Sequence, residues 1–376
     1  MNIFFKILFL VLLPFFTIKA QNISDSALIR KARLQIYDNP DRTIAIGKQL
    51  LKKEHTIKTT IDIYMLLSTA NIAKRNFDES LKYILKAKEL SQKTNDTKSQ
   101  VSVLIAAAIQ YQQMELFSKS LETLNEAALY LKKLPEHSSE KYGETARSYA
   151  IRGMIYKSQS NSEIALEKFL ISIQNFEKVP LKRTAYSNMS VVYYNIGYCY
   201  LNLNQIDKAQ QSFLQSIDYA HRNHAKSLEA FALKGMAELY KQQHKNKAAL
   251  DFLTKAEALS KNTGDITLNE GIYKEMADNY LAIGKQDSFQ LYNKKFFEMR
   301  FQRKQNELVS INHVINEHNK ETLVKGEALK SYYNNIQMIS MIIGSILITL
   351  LSYCIIKIRK QNKMFQKRIQ HIIRNS

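Results

Sequence analysis

The sequence has few of the residues that interrupt helices. Its 376 residues include only 10 glycines and 4 prolines. Sheet folds turn often and need such residues, whereas helix pairs joined by short polar loops need few. There are two cysteines, Cys199 and Cys354. One lies in a helical segment in the middle of the chain and the other inside an apolar C-terminal run, so they fall on different sides of a membrane boundary. They support neither a disulfide framework nor a metal site. No phosphate loop, glycine-rich dinucleotide turn, His-Glu-x-x-His or Gly-x-Ser-x-Gly motif occurs, so nothing speaks for an enzyme or a cofactor. His221 and His224 lie about one helical turn apart but have no third ligand, and no metal is expected.

Lys, Glu, Leu, Ala and Gln are abundant, and all are good helix formers. The composition predicts an all-α chain, too long for one compact helical domain and of a suitable length for a repeat array. The net charge of +20 is uneven. Lys6 and Lys19 lie in the leader, and Lys357, Arg359, Lys360, Lys363, Lys367, Arg368 and Arg374 lie in the last twenty residues, which carry no acid. Removing these nine charges leaves about +11 on the stretch between, where acids and bases are well mixed. Direct nucleic-acid binding by the chain is therefore not expected.

Two apolar segments carry different meanings. The N-terminal MNIFFKILFLVLLPFFTIKAQN has a short region with Lys6, an apolar core from Ile7 to Ile18, and Ala20 before a cut ahead of Gln21. This is signal-peptide architecture over residues 1–20. Ile18 fits poorly where a small residue is expected, so cleavage and retention as an anchor both stay open. With no cysteine after the core, lipid anchoring is excluded. The second segment, Met338 to Ile356, holds 19 residues without a charge, roughly 28 Å of helix at about 1.5 Å per residue. It reads as a transmembrane helix, placed at 336–356. The basic flank beyond it puts the tail, 357–376, in the cytoplasm and the N-terminal part outside the inner membrane.

Between these segments a helical hydrophobic period is interrupted about every 40 residues by polar loops. In the first helix of each unit a small residue precedes a large one by three: Ala108 and Tyr111, Gly153 and Tyr156, Gly197 and Tyr200, Ala237 and Tyr240, Ala277 and Tyr280. In the second helix a small residue precedes an apolar one by four, as in Ala165 and Phe169, Ala209 and Phe213, Ala249 and Leu253, and a further small residue follows at Ser172, Ser216 and Ala256. Small residues let helices approach and large ones fill the gap. This pattern resembles the tetratricopeptide repeat, in phase over roughly Ile61 to Tyr292. It departs from the family in repeat length, in having no Trp in the first helix, and at Asn71, which stands where later units have Tyr. The segment from Ser24 to His55 reads as a degenerate capping unit, and the phase of the last unit, around Ser288 and Phe289, is undetermined. The resemblance implies an α-solenoid over 21–293 of about six to seven helix pairs.

Residues 294–335 read as a helical stalk leading to the span. The stalk can pair with a second copy, although its spacing is not a strict heptad. The concave face of such an array is lined by first-helix residues turned away from the packed stripe: Arg147, Met154, Lys157, Tyr194, Tyr198, Lys234, Glu238 and Lys241. Their mix of Tyr and Lys suits an extended acidic peptide. The carboxylate clamp of chaperone-binding members is not expected, because Met65 and Thr69 stand at its places in the first aligned unit. Signal peptide, repeats, stalk, span and basic tail together resemble bacterial membrane-anchored regulators that couple outer repeats to an AraC-type helix-turn-helix or a sensor-kinase output. His371 follows the span where such kinases carry their phosphorylated histidine, but IQHIIRNS lacks the acid and proline of that box. About 20 residues follow Ile356, too few for such an output. The expected function is a membrane-anchored interaction scaffold or sensor; the alternative is the sensory half of a truncated or split regulator.

Overall fold

The computed structural model describes residues 24–180 and 183–374. The signal peptide expected at 1–20 lies outside the described residues. All regular structure among the described residues is helical: α1 (Asp25–Leu34), α2 (Pro40–Leu50), α3 (Ile57–Ala73), α4 (Phe77–Gln92), α5 (Thr97–Gln113), α6 (Phe117–Leu131), α7 (Ser139–Ser158), α8 (Ser162–Phe176), α9 (Arg183–Asn202), α10 (Ile206–Arg222), α11 (Lys226–Gln242), α12 (Asn246–Ser260), α13 (Ile266–Ala282) and α14 (Gln286–Arg374). They pair in chain order as hairpins and stack pair on pair as a tetratricopeptide-like solenoid. The segment from Ser24 to His55 supplies the first hairpin, α1 and α2. The chain divides into two compact units, one ending at Asn312 and one beginning at His313.

Polar side chains start many of these helices. Asn39, Asn161 and Asp265 each accept a hydrogen bond from the amide three residues on, at 3.0, 3.1 and 3.0 Å, and Pro40 takes the first helical position of α2, where its missing N–H costs nothing. The ends follow a rule that the sequence hides. Arg75, Glu115, Ser160, Asn204, His244 and Gly284, which follow α3, α5, α7, α9, α11 and α13, all have φ between 57° and 73°. In each turn the next amide reaches back to the carbonyl five residues earlier, as Gln205 N does to Tyr200 O at 2.8 Å and Lys245 N to Tyr240 O at 2.9 Å. The left-handed residue itself bonds the carbonyl three back, as Asn204 N does to Leu201 O at 3.0 Å. This is a Schellman closure, found at the ends of these six first helices and again after α10 at His224, and among the six only the last uses glycine.

Two hairpins, α7–α8 and α9–α10, are locked by a large side chain in a glycine notch. A Cβ on Gly153 would lie 2.6 Å from the Phe169 ring, and one on Gly197 2.6 Å from the Phe213 ring. Gly235 of the following pair presses on Phe213 from its other neighbour. Serine in the small-residue stripe adds a hydrogen bond across the hairpin: Ser120 Oγ donates to Ala108 O, Ser172 Oγ to Ala146 O and Ser216 Oγ to Ser190 O, each at 2.7 Å. These buried hydroxyls are satisfied where an alanine would leave the carbonyl with one bond fewer.

The phase of the last pair is fixed by its turn. Phe289 lies five residues after Gly284, the same offset that separates Ala209 from Asn204 and Ala249 from His244. A large residue thus occupies a position that is small elsewhere. α14 then packs through Tyr292, stacked on Tyr280 at 5.4 Å, and through Phe296, which is buried. Packing continues past 293, the end of the solenoid expected from the sequence. Lys295 pairs with Glu257 at 3.0 Å, and Arg303 and Glu307 still bind the repeats. Nor does a break separate stalk, span and tail: α14 runs unbroken, since it contains no proline and only Gly326 and Gly344. Its stretch Gly326–Ile369 is long and apolar enough to cross a membrane, and its apolar core is not buried in the protein. Cys199 is buried and Cys354 exposed, both as free thiols.

The first pair also reaches the later ones. Asp38 Oδ1, between α1 and α2, accepts from Ser227 N at 3.3 Å and from Ser227 Oγ at 3.1 Å. Arg75, in the turn after α3, donates to Glu307 of α14 at 2.7 Å.

Candidate functional site

The first helices of successive pairs, α7, α9, α11 and α13, bring the concave-face residues together. Lys157 on α7 donates to Asn195 Oδ1 on α9 at 2.6 Å. Its ammonium lies 5.7 Å from the Tyr194 ring centroid and 5.3 Å from that of Tyr198. The two tyrosines meet edge to face at 4.9 Å, a favourable arrangement for their quadrupoles. Tyr198 OH donates to Glu238 Oε1 on α11 at 2.7 Å and accepts from Lys234 Nζ at 3.0 Å. Lys234 is also paired with Glu238. Lys241 continues the chain to α13, reaching Glu275 Oε2 at 2.6 Å and Asp278 Oδ2 at 3.2 Å. A recess of about 430 Å³, lined by Leu201, Asn202, Glu238, Lys241 and Gln242, opens beside this network.

Burial shapes the electrostatics. It lowers the Lys157 ammonium to about 8, with Lys234 adding like-charge repulsion while Cys199 and Glu238 act in the other direction. Burial also penalises the Lys234 ammonium, but Tyr194 and Glu238 outweigh it and hold that pKa up. Burial raises both Tyr194 and Tyr198 above the ordinary phenol range, so both are neutral hydrogen-bonding groups at pH 7. Lys234 and Lys241 meet carboxylates; Lys157 has an amide oxygen and two ring faces. The α7–α9 end of the strip is therefore the electropositive one, and it can take a carboxylate or a row of peptide carbonyls.

Three candidate residues differ from their sequence-based assignment. Tyr198 is no open-groove contact: its ring lies 5.3 Å from that of Phe213, the residue that fills the Gly197 notch. It belongs to the hairpin core as much as to the groove. Arg147 is paired with Glu144 at 2.7 Å, and Met154 packs against the core between α7 and α9. The packing residues Ala108, Gly153, Gly197, Ala209, Phe213, Ala237 and Ala249 are buried, as is Tyr111, while Tyr156, Tyr200 and Tyr240 are half-buried at the hairpin edges. Lys357, Arg359, Lys360, Lys363, Lys367 and Arg368 are exposed along α14; the Arg374 side chain lies outside the described residues. Sequence reasoning missed Asn195, Glu275 and Asp278. A signal for two of them was available. Partners on neighbouring first helices are separated by about one repeat: 38 residues from Lys157 to Asn195, 40 from Tyr198 to Glu238 and 37 from Lys241 to Asp278.

Stacked helix hairpins with a concave strip of polar and aromatic side chains define an α-solenoid. The tetratricopeptide repeat model matches residues 61–94, which are α3 and α4, and residues 191–221, which fall on α9 and α10. The chain thus carries tetratricopeptide repeats at these two places. No curated protein matches it in sequence. Among solved structures it is similar to NprR in complex with its cognate peptide NprX, at 12% identity and a TM-score of 0.54, covering 78% of this chain and 87% of that one. It is similar to a Rap protein complexed with Competence and Sporulation Factor, also at 12% identity and a TM-score of 0.54, covering 80% and 88%. At this identity the likeness concerns the fold.

Proposed function

We propose that the chain is a membrane-anchored interaction scaffold or sensor whose solenoid, outside the inner membrane, takes an extended peptide or protein segment along its concave face. The observation that carries this reading is the strip from Lys157 through Tyr194, Tyr198, Lys234 and Glu238 to Lys241, which crosses three neighbouring first helices. Amphipathic rings and amide or carboxylate groups repeating across helices suit a ligand that is itself repetitive and polar along its backbone. Protein association is the general role of tetratricopeptide solenoids, and both NprR and the Rap protein above are complexes with a ligand. The apolar stretch Gly326–Ile369 and the basic run within and after it support a single span with a cytoplasmic tail.

The test is a displayed peptide library screened against the full chain in nanodiscs. Selected peptides should be extended and acid-containing. Lys157→Ala and Tyr194→Ala should each weaken them about tenfold, roughly 1.4 kcal/mol, and Glu167→Ala on α8 should not. A library that selects nothing, or peptides indifferent to the groove variants, would overturn the reading. The orientation is checked separately, by a reporter active only outside the cytoplasm: active when fused after Tyr332, silent after Ser376.

A second reading has its own support. Because α14 joins the last repeat to the basic segment without a break, the chain also suits the sensory half of a signal-transducing regulator whose output lies on another chain. A reading frame for a helix-turn-helix protein next to this gene would favour it; an unrelated neighbour would favour the scaffold.

A further inference from the structure

The repeat interfaces are apolar, but one contact between distant repeats is not. Ala225 precedes α11 at the cap position, where its side chain cannot cap the helix. Asp38, almost 190 residues earlier, takes that place: its carboxylate accepts from Ser227 N at 3.3 Å and Ser227 Oγ at 3.1 Å, and Ser227 Oγ also reaches Tyr37 O at 3.3 Å. Beside this contact Pro40 lies against Gly264, where a Cβ would come within 2.9 Å of the proline ring. A second strand of the same joint is ionic. Arg75 grips Glu307 through Nε at 2.7 Å and Nη2 at 2.6 Å. Glu307 accepts in turn from Arg303 at 2.8 Å, and Arg303 holds Glu270 of α13. The chain Arg75–Glu307–Arg303–Glu270 alternates in sign, and its side chains are between 12% and 24% exposed.

Both strands tie the first two hairpins to α11, α13 and the root of α14. The joint consists of hydrogen bonds, ion pairs and one proline contact. The interfaces between neighbouring repeats bury continuous apolar clusters, such as the one of Leu233, Leu253, Leu268 and Ile272. A contact made of a few hydrogen bonds and largely buried ion pairs, with no apolar cluster behind it, opens at lower free energy than a continuous apolar interface. The joint therefore opens more readily than those interfaces, and the concave side lies beside it: Tyr37 feels the charges of Arg147 and Asp265, and Tyr194 that of Asp265.

We propose that this joint is a releasable clasp: opening it admits an extended ligand to the concave face and at the same time frees the 303–307 root of α14. The proposal concerns regulation of the groove described above and rests on that reading, but it can be tested without any ligand. The full chain in nanodiscs, with Cys199→Ala and Cys354→Ala, is spin-labelled at Lys52→Cys and Lys261→Cys, both exposed. One narrow distance distribution is expected. Asp38→Ala with Arg75→Glu should add a longer population, and the full charge exchange Arg75→Glu, Glu307→Arg, Arg303→Glu and Glu270→Arg, keeping Asp38, should restore the narrow one. In parallel, Lys241→Cys, in the recess beside the strip, is labelled with a maleimide carrying a polymer of several kilodaltons. Its rate should rise at least about tenfold in the opened variant and return in the exchanged one. An unchanged distance distribution would mean that the joint bears no load. A longer distance without faster labelling would mean that it does not gate the groove. Either result overturns the proposal, and neither depends on whether the library screen yields a peptide.

Discussion

Adding one methyl group at Gly197 tests the packing logic of the whole array. A Cβ there would sit 2.6 and 2.7 Å from two carbons of the Phe213 ring. That ring cannot swing aside, because Gly235 presses on it from α11 and Tyr198 meets it edge to face at 5.3 Å. Overpacking of this kind costs about 1–3 kcal/mol. Alanine in a helix interior gains about 0.5–1 kcal/mol over glycine, so the net loss should be up to about 2.5 kcal/mol. Gly143, in α7, is the control: a Cβ there meets only Val179 Cγ2 at 3.8 Å, and the same substitution should gain about 0.5–1 kcal/mol. At roughly 2–4 °C per kcal/mol for a folded region of about 150–250 residues, thermal melts should move in opposite directions. Phe213→Leu in the Gly197→Ala background should recover part of the loss, and the double-mutant cycle should give a coupling well above about 0.5 kcal/mol. If both glycine variants raise the melting temperature, or the cycle shows no coupling, the notch is not what fixes the hairpin.

His244→Gly should stabilise by about 1 kcal/mol in denaturant melts, because an L-residue at φ 59° carries a steric cost that glycine avoids. Burial raises the Asp265 carboxyl from 3.8 to about 6, so the folded chain holds that proton more tightly than the unfolded one. The Asp265 contribution to stability should decline as pH rises through that window, and Asp265→Asn should flatten the decline in urea midpoints measured across it. Burial lowers Lys157 from 10.5 to about 8, so NMR of a site-specifically labelled Lys157 should give a midpoint near 8; a midpoint at the ordinary lysine value would show that the ammonium is not desolvated between Asn195 and the two tyrosine rings.

The helices and their mutual packing were legible in the sequence because one spacing rule served every unit. Small and large residues recur at fixed offsets, and Gly153 with Phe169 and Gly197 with Phe213 meet as those offsets require. The turns were not legible. Five of the six turn residues carry side chains, so the usual glycine signal is missing and only the backbone bonds reveal the closure. The phase of the last pair was hidden for a related reason: Phe289 takes a position that is small in the earlier units. Tyr198 was read as a surface residue because periodicity places its Cα on the concave side, but its ring extends back onto Phe213. The Asp38–Ser227 and Arg75–Glu307 contacts span about 190 and 230 residues. They follow from the accumulated rotation of several hairpins, which no local pattern encodes.

A stack of repeats that touch only their neighbours behaves as a line, and a line comes apart from its ends. In this protein α1 and α2 are held from behind by α11, and the α3–α4 turn by α14, so those hairpins have lost the freedom of an end. Their protection against amide exchange is then borrowed from residues on the far side of the array. Any event that parts the two sides should appear first as faster exchange in α1 and α2, before any change in the helices that line the groove.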